Sequence, residues 1–313
     1  MPRLHPWLQT RAFLLAAASL AVLLLPWPIR WLQPMHTLGW LVDLAVHWQL
    51  QAGVAFGLAC GGQAVLRRRG VWLLGPVVAV GLVVWGAYPA LGGADSSAGA
   101  GIKVASVNVH LDNTQPQKLL QWVAQEQPDV LMLQEVTPAM QPWLQSLREA
   151  YPHGLQQLRD DPFGLAVLSK TPLVDVQAEA LPGQPPFMRT VLRHGGRDVV
   201  LYAVHPMPPI SPAMLAERNE LMAHIAQRTA EDAKPALVAG DFNASPWSSA
   251  FAPLQAQGLQ RATGLWPTWR LLGLPIDHVV ASAAHWRVLR AGVGPDVGSD
   301  HRPVWVQLVL LPS

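Results

Sequence analysis

The sequence predicts an α/β protein: a mixed-sheet β-sandwich flanked by helices, preceded by an all-α membrane region of about three helices. Three observations carry that expectation. Leu, Val, Ala, Gly and Trp dominate the chain up to about residue 91. From residue 102 onward apolar and polar residues alternate, as they do around a soluble core. In that second part strand-like segments occur both in succession and separated by helical ones, which fits a mixed sheet better than a doubly wound one. With 313 residues there is room for two domains. The expected division is a membrane region over residues 1–91, a flexible Gly/Ala/Ser linker over 92–101 and a folded domain over 102–313.

Within the first region, residues 71–91 form an uncharged apolar run of about the ~20 residues that a span requires. Residues 12–29 form another, with Trp27 and Trp31 placed for an interfacial aromatic belt. A cleaved signal peptide is the rival reading of that run, but no small-residue cleavage site follows it. Residues 38–66 are expected to cross as well, although Asp43, His47, Gln49 and Gln51 interrupt their first half. Asp43 and His47 are expected near an interface or against neighbouring helices, with no assigned role. Arg3 and Arg11 precede the first run, and Arg67, Arg68 and Arg69 lie between the second and third. With three crossings, both basic sites face the cytoplasm and only Arg30 lies outside, so the folded domain is expected on the extracytoplasmic side of a multi-pass inner cell membrane protein.

In the second region, strands are expected at 103–109, 129–134, 164–169, 173–179, 187–192, 198–204, 236–239, 276–281, 286–291 and 304–310. Thr114 with Gln117 reads as a capping box opening a helix to Glu126, and Thr137 before Pro138 opens another. Ser211 and Pro212 begin the longest helix, with Met214, Leu215, Leu221, Met222 and Ile225 on one face.

Charge and cysteine content narrow the function classes. The net charge is +2, but the arginines named above and only Asp43 and Asp95 belong to the first hundred residues, so the remainder leans slightly acidic. That argues against tight non-specific binding of long nucleic acid and permits a small phosphate ester. Cys60 is the one cysteine, so neither an intrachain disulfide nor a thiolate metal cluster can form.

Polar residues stand at the ends of the predicted strands: Asn108, Glu135, His205, Asp241, Asn243, Asp277, His278, Ser299, Asp300 and His301. Each alone has a structural explanation, such as a turn-forming Asp or Asn. Together they are the parts for phosphate chemistry with a hard cation, since Mg²⁺ takes oxygen ligands and needs only one or two carboxylates. The segments VASVNVH (104–110), LMLQEV (131–136), GLAVLS (164–169), VHP (204–206), AGDFNA (239–244), IDHV (276–279) and SDHRP (299–303) resemble, in order, the signature of the endonuclease/exonuclease/phosphatase family.

That resemblance implies a DNase I-like fold and hydrolysis of a phosphodiester or phosphomonoester with Mg²⁺ or Mn²⁺. It implies Glu135 as principal metal ligand, with Asn108 and Asp300 assisting. Asp241 would orient or deprotonate the attacking water, and Asn243 would hold a phosphate oxygen. His301, paired with Asp277, would contact the scissile phosphate, as would His205. Arg189 and Arg218 are weaker candidates for contacting an anionic substrate; an arginine on a helix face is more often solvated. His110 stands where several DNA-repair members carry an acid and, like His153 and His278, is expected as a surface or packed residue. The resemblance favours a nuclease; the membrane region favours a phospholipid or small-molecule phosphodiesterase. A catalytically silent membrane sensor is the alternative of another class.

Overall fold

The structure, a computed structural model, describes residues 4–32, 36–67, 69–93 and 101–312. Two compact units emerge: Met1–Ala87 with Pro246–Ser249, and Tyr88–Ser245 with Ala250–Ser313. The first boundary therefore falls at Ala87, four residues before the expected one. Arg3, Arg68 and residues 94–100 of the expected linker lie outside the described residues.

The first unit is helical: α1 (Leu4–Leu24), α2 (Ile29–Leu32), α3 (His36–Val46), α4 (Gln49–Arg67), a 3₁₀ turn (Gly70–Leu74) and α5 (Gly75–Gly86). The expectation of about three spans is corrected to one. Among the described residues only Pro6–Leu24 is long and apolar enough to cross a membrane, and a signal sequence passes the same test. The middle run breaks into α3 and α4, and α4 carries Gln49, Gln51, Gln63 and Arg67. In the third run the 3₁₀ turn leaves α5 only 12 residues, about 18 Å against a hydrocarbon core of about 30 Å. The extracytoplasmic placement, which counted three crossings, loses that basis.

Side chains in this unit are arranged opposite to those of a water-soluble bundle. Asp43, His47, Gln49, Gln63 and Ser19 are buried, while Trp7, Phe13, Leu58, Val77 and Trp85 are exposed. Gln49 Nε2 donates to the Val22 carbonyl (2.6 Å) and Gln63 Nε2 to that of Gln9 (2.5 Å), tying α4 to α1. Gly75 lets α5 start against α4, because a Cβ there would lie 2.3 Å from the Cβ of Cys60.

The second unit is a sandwich of two six-stranded sheets. One has the order β11-β12-β1-β2-β4-β3, built from β1 (Gly101–Asn108), β2 (Val130–Gln134), β3 (His153–Gln157), β4 (Leu165–Ser169), β11 (Trp286–Val293) and β12 (Val304–Leu310). The other has the order β5-β6-β7-β8-β10-β9, built from β5 (Leu173–Ala180), β6 (Pro186–His194), β7 (Arg197–Val204), β8 (Ala236–Asp241), β9 (Leu259–Arg261) and β10 (Asp277–Ser282). The short strands β3 and β9 carry no clear alternation and were not expected.

Each sheet has one parallel pair at its centre, β1 with β2 and β7 with β8. Parallel neighbours need a crossover, which α6 (Pro116–Glu126) and α8 (Pro212–Asp232) supply. Ser211 caps α8, its Oγ accepting from Met214 N at 3.2 Å. The expected capping box on α6 does not form: Gln115 is the N-cap and makes no side-chain cap, while Asn113 Oδ1 accepts from Gln115 N (2.7 Å) and Pro116 starts the helix. The 3₁₀ turn Pro138–Met140, α7 (Gln141–Ser146), the 3₁₀ turn Ser249–Phe251 and α9 (Ala252–Ala256) complete the elements.

Alternation along the central strands fills three apolar layers. Val104, Val130 and Met132 meet Leu201, Leu237 and Val279 between the sheets. Val107, Leu131 and Leu133 pack outward with Leu119, Trp122 and Leu144. Val200, Tyr202 and Val238 pack on the other side with Leu221, Met222 and Ile225. Strands buried on both faces read as the continuous apolar runs seen in the sequence. Tyr88–Gly93 belongs to this unit, not to a tether: Leu91 N donates to Arg261 O (2.8 Å) and Gly93 bridges Val288.

Candidate active site

The parallel pairs place their carboxyl ends, and the residues that follow, where they deliver side chains to one cluster. Asn108 ends β1, Glu135 follows β2, His205 follows β7 and Asp241 ends β8. The antiparallel neighbour β10 brings Asp277 opposite Asp241, and residues 299–301 precede β12. Gly240 makes the β7–β8 approach possible, since a Cβ there would lie 1.9 Å from the Val204 carbonyl oxygen. Glu135 (φ 62°), Asn243 (φ 47°) and His110 (φ 60°) all adopt left-handed backbone, a concentration of strain typical of functional sites.

Asp241 is the hub. It is 2% exposed, and its Oδ1 accepts from Asn243 N at 2.8 Å. Its Oδ2 accepts from Asn108 Nδ2 at 3.1 Å and lies 3.6 Å from Nε2 of both His205 and His301. Each ring is held from behind through Nδ1: His205 by the Pro162 carbonyl (3.0 Å), His301 by Asp277 Oδ2 (2.8 Å). A carbonyl or carboxylate only accepts, so both Nδ1 atoms carry hydrogen and both Nε2 atoms turn toward Asp241. A separation of 3.6 Å exceeds hydrogen-bond range, so neither Nε2 is committed to that carboxylate.

The charges shift one another. Burial pushes the Asp241 carboxyl above its ordinary range; His301 opposes this, Asp277 adds to it, and His205 and the Asn243 amide also oppose it. For His301 burial alone pushes the imidazole down, but Asp277, Asp241, the hydrogen bond to Asp277 and Asp300 together raise it to about 10. The carboxylates around His301 thus favour its protonated form, while burial disfavours the charged form of Asp241.

Glu135 and Asp300 form the second part of the cluster. Glu135 Oε1 accepts from Asn108 Nδ2 (2.8 Å) and Oε2 from Leu111 N (3.0 Å). Asp300 Oδ2 accepts from Trp269 Nε1 (3.0 Å), while its Oδ1 is buried without a hydrogen bond, 3.5 Å from His110 Nδ1. Two carboxylates with an unbonded buried oxygen suit a hard divalent cation, so these residues fit one. Asp241, Asp277 and His301 also bring ligand atoms within 4.8 Å of one another; the Asp277–His301 hydrogen bond uses Oδ2 and Nδ1 and leaves Asp277 Oδ1 and His301 Nε2 without one. Asn108 bridges the acids as a donor through Nδ2, and its Oδ1 accepts from His110 N (2.9 Å) with a second lone pair left on that oxygen.

Other expectations fare unevenly. Asn243 is in the cluster, with Nδ2 donating to the Pro206 carbonyl at 3.0 Å. Arg189 is engaged elsewhere, buried and ion-paired with Asp232 and Asp175, so it is not a substrate contact. Arg218 is fully buried rather than solvated, and donates to the Asn243 carbonyl (3.0 Å). His278 is a core residue, its Nε2 2.9 Å from the Ala244 carbonyl.

Sequence reasoning did not place His110 or Trp269 at the site, and named Ser299 without a role. His110, expected as a surface or packed residue, stands 3.7 Å from Glu135 Oε2 and 3.5 Å from Asp300 Oδ1. Trp269 donates to Asp300 and stacks on His301, with centroids 6.4 Å apart, and no local pattern marks it. Ser299 Oγ donates to the Asn108 carbonyl (2.8 Å) and accepts from His301 N (3.0 Å); its place in SDHRP was the available signal.

Residues 105–301 match the Endonuclease/Exonuclease/phosphatase family. The chain belongs to that family. Among curated proteins none matches. Solved structures share the fold, among them an endonuclease/exonuclease/phosphatase from Beutenbergia cavernae (20% identity, TM-score 0.57, covering 67% of this chain and 72% of that one). TDP2 of D. rerio complexed with single strand DNA product is similar at 17% identity and TM-score 0.55, covering 67% of this chain and 100% of that one. Sphingomyelinase C from Streptomyces griseocarneus is similar at 19% identity and TM-score 0.53, covering 67% and 99%.

Proposed function

We propose that this family member hydrolyses a phosphate ester by in-line attack of water on phosphorus, with Mg²⁺ or Mn²⁺. The observation that carries the reading is the buried Asp241 carboxylate flanked by two imidazole Nε2 atoms, each fixed from behind. Asp241, raised by burial, takes the proton of the attacking water. Protonated His301 donates from Nε2 to a phosphoryl oxygen, and Asp277 stabilises the imidazolium through Nδ1–H. His205 presents its Nε2 from the other side, and Asn243 keeps an amide N–H beyond the one given to Pro206 for another phosphate oxygen. Glu135 and Asp300 would hold the cation, which when bound supplies positive charge to the phosphoryl oxygens. In-line transfer asks for little beyond positioning and charge, and these residues provide both.

The outward apolar surface of the helical unit supports membrane attachment, with α1 as anchor or span, in a bacterial-type cell membrane. That surface favours, as the second reading on substrate, a phospholipid or small phosphodiester met at the bilayer over long nucleic acid. Proteins of the same fold include both a sphingomyelinase and one complexed with single strand DNA product, so the fold does not choose between them.

The test uses the full chain in detergent with bis-p-nitrophenyl phosphate, plasmid DNA and phospholipid micelles. Turnover should require Mg²⁺ or Mn²⁺, vanish with EDTA and return on adding metal back. Lipid turnover above DNA turnover supports the membrane-proximal substrate; salt-sensitive DNA cleavage alone supports the nuclease. No turnover of any of the three by folded, metal-binding protein favours the silent sensor.

A further inference from the structure

The helical unit includes four residues, Pro246–Ser249, separated from Asn243 only by Ala244 and Ser245. Those residues meet Asp43, which lies on α3 with no exposed surface. Asp43 Oδ1 accepts from Ser248 Oγ (3.1 Å), Ser249 N (3.0 Å) and Ser249 Oγ (2.6 Å). Its Oδ2 lies 3.3 Å from Ser248 Oγ and 3.6 Å from Nε2 of His47, one turn along the same helix. Beside this clamp Trp247, 2% exposed, donates from Nε1 to the Val83 carbonyl at 2.9 Å.

A carboxylate inside an apolar helical unit is costly unless its oxygens are hydrogen-bonded. A unit that served only as a tether would need no such group, because apolar packing suffices to hold a segment. Here the carboxylate grips a turn whose chain runs directly back to Asp241 and Asn243. We propose that Asp43 is a positioning residue: by clamping the Ser248–Ser249 turn it holds, along the chain, the Asp241–Asn243 loop in working geometry. This inference rests on the phosphoesterase reading for its kinetic consequence and on the clamp itself for its structural one.

The experiment compares the full chain with Asp43→Ala, Asp43→Asn and the double change Ser248→Ala/Ser249→Ala, in detergent with Mg²⁺. Turnover of bis-p-nitrophenyl phosphate and amide hydrogen exchange over residues 241–251 are read on the same samples. Asp43→Ala should deprotect the Ser249 amide and lower kcat about tenfold while KM stays within about twofold, the pattern of lost positioning. Asp43→Asn, which keeps an acceptor oxygen, should restore most of both. Adding the serine changes to Asp43→Ala should cost nothing further, since the partners form one unit. Unchanged exchange in Asp43→Ala overturns the clamp. Raised exchange with unchanged kcat overturns the positioning role, and would mean that Arg218 and His278, which hold the Asn243 and Ala244 carbonyls, suffice. Should Asp43→Ala fail to fold, Asp43→Asn and the serine variant carry the same two readouts. If the unmodified chain turns over nothing, the phosphoesterase reading fails on its own, and exchange over 241–251 still decides whether Asp43 holds the loop.

Discussion

The helical and catalytic units obey opposite burial rules. In the catalytic unit Val, Leu, Met and Phe fill the layers around two sheets, and Val174, Ile210, Leu271 and Leu272 are its exposed large apolar residues among those described. In the helical unit many Leu, Val, Phe and Trp side chains are exposed, beside a few polar ones such as Arg11 and Arg67, while Asp43, Gln49 and Gln63 have no exposed surface. A soluble fold gains by removing apolar area from water. A unit surrounded by hydrocarbon gains nothing that way, and instead must hide polar groups against hydrogen-bond partners. Polar burial thus differs between the two regions: in the catalytic unit it includes the Asp241 cluster beside structural groups such as Arg189 and His278, in the helical unit it marks where segments are tied together.

The largest expected effect is catalytic. Asp241→Ala or His301→Ala should lower kcat about a thousandfold with the fold retained, read by steady-state kinetics beside circular dichroism. Activity near that of the unmodified chain would remove the chemical meaning of the buried cluster. Next is packing in the catalytic unit. Gly240→Ala places a Cβ 1.9 Å from the Val204 carbonyl oxygen and should destabilise the unit by about 3 kcal/mol, lowering its thermal midpoint.

A matched pair tests the comparison itself. Leu58→Arg, at a position 72% exposed in the helical unit, should cost about 2.5–3.5 kcal/mol in membrane insertion if hydrocarbon surrounds it. Val174→Arg, 52% exposed in the catalytic unit, should change stability by no more than about 0.5 kcal/mol. Equal tolerance of both, measured by membrane fractionation and thermal midpoint, would erase the distinction.

The smallest effect is on pH dependence. His301 is raised from 6.5 to about 10, so the stability it contributes is fully present below pH 6.5 and is lost as pH rises through about 10. Burial likewise raises Asp241, which penalises its charged form and acts in the same direction. The thermal midpoint of metal-free protein should therefore fall as pH rises from 7 to 10. His301→Asn should flatten that slope; an unchanged slope would place its origin in another group.

The strands that carry the site were legible because β2 and β8 read as nearly continuous apolar runs and β1 and β7 as β-rich segments, each leading into a polar residue: Asn108, Gln134–Glu135, His205 or Asp241. Strands β3 and β9 were not, since their residues depend on neighbours in the sheet and lack a pattern of their own. Arg189 and Arg218 show the limit of reading charge: both are buried, one in an ion-pair cluster and the other on the Asn243 carbonyl, and nothing local distinguishes them from solvated arginines. The span count failed because hydropathy sums over a run without seeing where a helix breaks, as it does between Leu74 and Gly75.

By itself the sequence pointed to the α/β sandwich and supplied the ordered motifs, whose resemblance to the family singled out Glu135, Asp241, Asp277, Asp300, His205 and His301, because strand pattern and motif order are local properties of a chain. Only the tertiary structure decided that both histidines turn Nε2 toward one carboxylate, that Asn108 bridges two acids, and that His110 and Trp269 stand beside Asp300. It alone joined Asp43 to Ser248 and Ser249, more than two hundred residues later in the chain. Such pairings are set by which strands become neighbours and which helix meets which turn, and a linear pattern carries no record of that.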